Sequence, residues 1–212
     1  KNGNFISPAE AIPILEESGL IIPVGKWIIQ NAFSMCTECR KYYPEFRVSI
    51  NLSYVQILKS PLMMELKQMI ECSGISCSGI IVELTESGYL EGTPAVRSVW
   101  NDMKQLRIQI ALDDFGTGYS NLMNISNLEP DIVKLDRGFT LKALSRSYEY
   151  QLMQYVIEMV HKLNQYVCVE GVETKEDLEK IKALGPDLIQ GYYYSKPCSR
   201  DEFLKKFFCY SE

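Results

Sequence analysis

The chain has 212 residues, enough for one sizeable hydrophobic core and short for two ordinary domains. Apolar residues make up 46% and charged residues 23%, a globular composition that excludes a disordered polymer. With 27 Asp and Glu against 22 Lys and Arg, the net charge of −5 offers duplex nucleic acid no basic footprint.

In chain order, Ser7-Pro8-Ala9-Glu10 reads as a capping box with Pro8 at the first helical position, so the chain opens with helices. Six apolar runs follow as strand candidates: Arg47–Asn51, Gly79–Leu84, Ile108–Asp113, Asp131–Leu135, Tyr166–Glu170 and Asp187–Tyr192. Each is rich in β-branched or large apolar residues, as expected for strands covered on both faces. Helical patterns lie between them. Val96, Val99, Trp100, Met103 and Leu106 recur at helical spacing, and so do Leu152, Tyr155, Val156, Met159, Val160 and Leu163. A second capping box, Ser199-Arg200-Asp201-Glu202, starts a C-terminal helix whose Phe203, Leu204, Phe207 and Phe208 are expected to dock on the core.

Repeated strand–helix units without a composition break predict one parallel α/β domain. Doubly wound sheets and barrels share this signature. No Gly-rich phosphate loop follows any strand, which weighs against the nucleotide-binding doubly wound option. A barrel needs eight units, and six are counted, so N-terminal strands are expected to be missing from this chain.

No uninterrupted apolar run is long enough to span a bilayer, and no signal peptide is apparent. Seven scattered cysteines (Cys36, Cys39, Cys72, Cys77, Cys168, Cys198 and Cys209) suit reduced thiols, so a cytoplasmic setting is expected. Cys36-x-x-Cys39 has no matching second pair, which argues against a zinc site. The single histidine, His161, excludes a His-rich metal cluster and reads as a packing or surface residue.

Polar residues recur at the strand ends: Asn51, Glu83 with Glu86, Asp113 with Asp114, Lys134, Glu170 and Gln190. Counting one residue per strand, successive positions lie 32, 30, 21, 36 and 20 residues apart, each about one strand–helix unit. In a parallel barrel all six would project at the C-terminal mouth, where ligand chemistry occurs. Gathered carboxylates raise one another's pKa unless cations neutralise them. All-oxygen ligands select Mg²⁺ or Mn²⁺ over Zn²⁺, and paired ions suit in-line attack on a phosphodiester. Any one such carboxylate is more often a helix cap, and an enolase-like site with Lys134 as base is the rival reading. Tyr192-Tyr193-Tyr194 offers rings for base stacking, with packed strand tyrosines as the commoner case.

Six segments carry a family resemblance: Val48–Ser53, Glu83–Ser87, Ala111–Ser120, Val133–Arg137, Val169–Thr174 and Gln190–Ser195. With the opening Ile6–Glu10 and Glu16–Leu20, they resemble the EAL-domain family of bacterial cyclic di-GMP phosphodiesterases. The resemblance implies a (β/α)8 TIM-type barrel that cleaves cyclic di-GMP to linear pGpG with two Mg²⁺ or Mn²⁺ ions. It implies that Asn51, Glu83 and Asp113 ligate one metal, and Asp113, Asp114 and Glu170 the second. Lys134 resembles the lysine that contacts the catalytic water, and Gln190 the glutamine that closes the substrate site. Glu86 is similar to the glutamate that braces the loop after Asp114, a loop associated with dimerisation, so a homodimer is implied. The Glu-Ala-Leu segment that names the family is not in this chain. Residues 1–212 are therefore expected to form a single EAL-type domain truncated at its N-terminus. A non-catalytic module that binds cyclic di-GMP or a partner protein is the alternative.

Overall fold

The computed structural model describes residues 6–85, 93–117 and 128–208. The chain divides into two compact units, Lys1–Val82 with Gly92–Ile108, and Glu83–Glu91 with Gln109–Glu212.

The first unit is mainly helical. It contains α1 (Pro8–Ser18), α2 (Ile21–Cys39), β1 (Val48–Asn51), α3 (Tyr54–Lys59), α4 (Leu62–Ser73), the first half of β2 (Ile80–Thr85) and α5 (Pro94–Gln105). Helix α2 buries Ile29, Phe33 and Cys36, and α4 buries Leu66 and Met69. The apolar spacing read in α5 is realised through Val96, Trp100 and Met103. Ser7 stands at the N-cap of α1 with Pro8 inside the first turn, but its side chain makes no capping bond. Its backbone carbonyl instead accepts from Glu10 N at 3.0 Å. A capping box that the sequence reading did not identify forms at Ser53 with Gln56, at the start of α3.

The second unit carries the rest of β2 (Glu83–Thr85), β3 (Gln109–Phe115), β4 (Ile132–Leu135), α6 (Arg137–Ser145) and α7 (Ser147–Lys162). Then come β5 (Tyr166–Val169), α8 (Lys175–Lys182), β6 (Leu188–Ile189) and α9 (Arg200–Phe207). Its strands neighbour one another in chain order, β2 to β6. The pairs β3–β4, β4–β5 and β5–β6 are parallel, with Lys134 opposite Cys168 and Val169 opposite Ile189. Strand β4 is buried along its whole length, as its unbroken apolar run requires.

Two aspartates that precede strands stitch the ladder. Asp131 Oδ2 accepts from Ile110 N of β3, and Asp187 Oδ2 from Val167 N of β5, both at 2.8 Å. His161 Nε2 lies 2.8 Å from the same Asp187 oxygen, so the lone histidine is a partly exposed surface residue tied to the start of β6.

Three expectations change here. Strand β6 ends at Ile189, whereas the apolar run suggested Tyr192. The chain turns at Gly191, where Tyr193 N bonds Val172 O and Tyr194 N bonds Gly191 O, at 3.0 and 3.1 Å. The three tyrosines are therefore exposed turn residues rather than packed strand residues. Helix α7 buries Met153, Ile157 and Val160, while Leu152, Tyr155 and Leu163 are exposed. Helix α9 forms with its Ser199–Glu202 capping box but buries none of its residues. Its rings pack on each other instead, with Phe203 and Phe207 centroids 4.9 Å apart.

Cysteine burial yields a direct test. Among the described residues Cys36, Cys39 and Cys168 are buried, whereas Cys72 and Cys198 are exposed. Maleimide labelling followed by peptide mass mapping is expected to mark Cys72 and Cys198 in the native protein. Cys36, Cys39 and Cys168 are expected to react only after denaturation, because the thiolate is the reactive form and burial disfavours it. Rapid native labelling of Cys168 would contradict the packing of β5.

Candidate active site

The strand ends of the second unit place polar residues side by side. Backbone bonds continue the ladder one step beyond the strands: Asp136 N to Phe115 O, Glu170 N to Leu135 O, and Gln190 N to Val169 O, at 2.9 to 3.1 Å. Glu170 and Gln190 thus follow their strands at neighbouring positions.

The centre of the site is Lys134, buried on β4. Its Nζ lies 2.8 Å from Glu83 Oε2 on β2, 3.0 Å from Asp113 Oδ1 on β3, and 2.7 Å from Glu170 Oε1 after β5. Glu83 and Asp113 are also buried. Burial pulls the Lys134 pKa down, but Glu83, Asp113 and Glu170 together push it well above the usual lysine value. The ammonium stays charged. Glu170 is held above the usual carboxylate range by burial, with its bond to Lys134 opposing.

Asp114 sits beside this cluster at an irregularity. The β3–β4 register shifts between Leu112 and Phe115, and Asp114 has φ +61°. Such bulges re-aim side chains next to active sites, and aspartate tolerates the left-handed region better than most residues. Asp114 N donates to Asp113 Oδ1 at 2.9 Å, which braces the bend. Partial burial raises the Asp114 pKa, and repulsion from Asp113 and Asp136 adds to it.

The second unit therefore brings together Glu83, Asp113, Lys134 and Glu170, with Asp114 alongside and Gln190 on the next strand end. The Gln190 residue is exposed, and its backbone oxygen accepts from Val172 N at 3.3 Å. Asn51 ends β1 in the first unit, where it is exposed. Glu86 lies outside the described residues.

The sequence reading takes Cys168 only as one of seven reduced thiols, yet it pairs in register with Lys134 between β4 and β5. Its burial pushes the thiol pKa up to about 12, against the lowering effect of Lys134. Period-two alternation back from Glu170 was the signal for it.

Four carboxylates against one ammonium leave a formal excess of three negative charges in a partly desolvated site. Hard divalent cations with all-oxygen coordination match that donor set and charge. Among the described residues no three acidic, His or Cys side chains already enclose a point fit for an ion. The Lys134 ammonium stands among the carboxylates instead. A cation would therefore compete with Lys134 for carboxylate oxygens.

A family model described as the EAL domain matches residues 1–197. The cyclic di-GMP phosphodiesterase PdeF of Escherichia coli K12 is 31% identical to this chain, over 93% of it and 26% of PdeF. The EAL enzyme Bd1971, solved with cAMP and cyclic di-GMP bound, superposes with a TM-score of 0.90 at 29% identity. That match covers 97% of this chain and 57% of Bd1971. The PaMucR phosphodiesterase, solved as a cyclic di-GMP complex, matches with a TM-score of 0.88 at 26% identity, covering 96% and 83% of the two chains. The chain spans about a quarter of the length of the first curated relatives it matches. With these likenesses the fold class is α/β, of the (β/α)8 TIM-barrel type.

Proposed function

The chain belongs to the EAL domain family, and from that premise we propose that it is a divalent-cation-dependent phosphodiesterase that hydrolyses cyclic di-GMP to linear pGpG. The observation that carries the reading is the convergence of Glu83, Asp113 and Glu170 on Lys134 within 3.0 Å. In this reading the two compact units form one EAL-type domain, since the family match runs through both. Homodimerisation belongs to the same reading and rests on the family resemblance of the loop after Asp114.

We assign Glu83 and Asp113 to one Mg²⁺ or Mn²⁺ ion, and Asp113, Asp114 and Glu170 to a second; Asn51 is added to the first set on the family resemblance alone. Bound cations would supply an acidified water and neutralise the phosphodiester oxygens. The protein's own part is positional. Where cations take carboxylate oxygens from it, Lys134 would turn its freed N–H groups to the attacking water and offset charge gathering on the phosphate. Glu170, beside the Lys134 ammonium, accepts the proton of that water. Gln190, on the neighbouring strand end, contacts the substrate, and Glu86 is assigned to bracing the loop after Asp114.

The test is chromatography of cyclic di-GMP incubated with the protein and Mn²⁺ or Mg²⁺, with the product identified by mass. Stoichiometric pGpG is expected, with turnover lost in EDTA and restored by Mn²⁺. Tight cyclic di-GMP binding without turnover would support the binding-module alternative, and neither binding nor turnover would overturn both.

A further inference from the structure

A second polar group lies beside the lysine cluster within the same unit. Arg137 opens α6 three residues after Lys134, and its Nε and Nη2 reach Glu173 Oε1 at 3.3 and 2.7 Å. The Arg137 stem crosses Gly171, whose φ is +78°, so closely that any side chain at 171 would strike Arg137 Cβ and Cγ. Arg137 therefore lies over the segment that follows Glu170. On the other side, Val172 bonds Gln190 O and Tyr193 N through its own backbone, which brings the turn after β6 against that segment. Tyr192 stands in this turn between Gly191 and Tyr193, and Tyr193 N bonds the carbonyl of Val172, the residue after the Gly171 that Arg137 covers. Lys196 Nζ stands 5.7 Å from the Tyr192 ring centroid.

Arg137 and Tyr192 are both more than half exposed. An ion pair in that setting adds little to stability. It does hold a planar guanidinium in one orientation while using only two of its five N–H groups among the described residues. Guanine offers such a fork two acceptors, O6 and N7, whereas adenine places a donor where O6 would be. An exposed tyrosine ring beside the fork gives a base a stacking face.

We propose that Arg137, steadied by Glu173 and set beside Tyr192, reads the O6/N7 edge of one guanine of the substrate while Tyr192 stacks on that base. This rests on the cyclic di-GMP reading above. It makes Arg137 a specificity determinant and Glu173 its positioning residue.

The experiment compares initial rates for cyclic di-GMP in the wild type and in Arg137→Met, Arg137→Lys, Glu173→Gln and Tyr192→Leu. Cyclic di-AMP serves as a competing ligand, and melting curves check folding. Arg137→Met is expected to raise KM for cyclic di-GMP by about tenfold or more with kcat nearly unchanged, and to leave cyclic di-AMP inhibition as it was. Arg137→Lys keeps the charge without the fork and is expected to fail to restore KM. Glu173→Gln is expected to raise KM by a smaller factor. Tyr192→Leu is expected to weaken both nucleotides alike, since every base has a π-face. Equal losses of both nucleotides in Arg137→Met would indicate a phosphate contact and overturn the guanine assignment. An unchanged KM would reduce the pair to a surface ion pair and overturn it too. An inactive wild type that binds no cyclic di-GMP would instead bring down the functional reading itself.

Discussion

Lys134→Met is expected to lower the melting temperature of the cation-free protein by about 6–20 °C and to reduce cyclic di-GMP hydrolysis by at least about 100-fold. The stability figure follows from removing one member of a buried charge network, about 3–5 kcal/mol, at about 2–4 °C per kcal/mol for a chain of this size. Three carboxylates now within 3.0 Å of one ammonium would face each other without it. The activity figure is the usual cost of losing one preorganised donor at a reacting centre. Calorimetry in EDTA and again in excess Mn²⁺ checks the argument, because the freed carboxylates should bind the cation and recover part of the lost stability. Identical melting of both proteins in EDTA would show that Lys134 does not neutralise the cluster.

Asp113→Asn and Glu170→Gln are expected to match that loss of hydrolysis, about 100-fold or more, but to differ in stability, which holds or rises in the cation-free protein. Each change removes one charge from a site with three in excess and keeps the side chain's volume. Glu170 also has ionisation opposed by burial. Function and stability pull against each other at such sites, where a charge cluster useful for binding cations is costly without them. Steady-state rates in saturating Mn²⁺ and melting curves in EDTA read the two effects separately. Turnover by Asp113→Asn within a few fold of the parent would remove Asp113 from the metal-binding set. A large stability loss in Glu170→Gln would mean that its 2.7 Å contact with Lys134 outweighs the charge excess.

Strand existence and the strand-end polar positions were legible in the sequence because both are local properties. An apolar run such as Ile132-Val133 specifies a buried strand, and the residue near its end, Lys134, is placed by counting along it. The recurrence of that pattern at about one strand–helix interval pointed to a shared rim, and the second unit brings Glu83, Asp113, Lys134 and Glu170 into contact, with Gln190 on the next strand end. The alternation that sets Cys168 apart from the other thiols was equally local.

Other features depend on partners far away in the chain, and only the tertiary structure decided them. Strand β6 stops at Ile189 because Gly191 turns against Val172, nineteen residues earlier in the chain. The helical period of α7 is correct, yet its buried face is Met153, Ile157 and Val160, a choice set by what packs on it. The register shift that bends β3 at Asp113 and Asp114 exists only in the pairing with β4. Composition and spacing assembled the acidic residues on paper. That one lysine holds three of them at once is a matter of where four strands end in space, and no local rule encodes it.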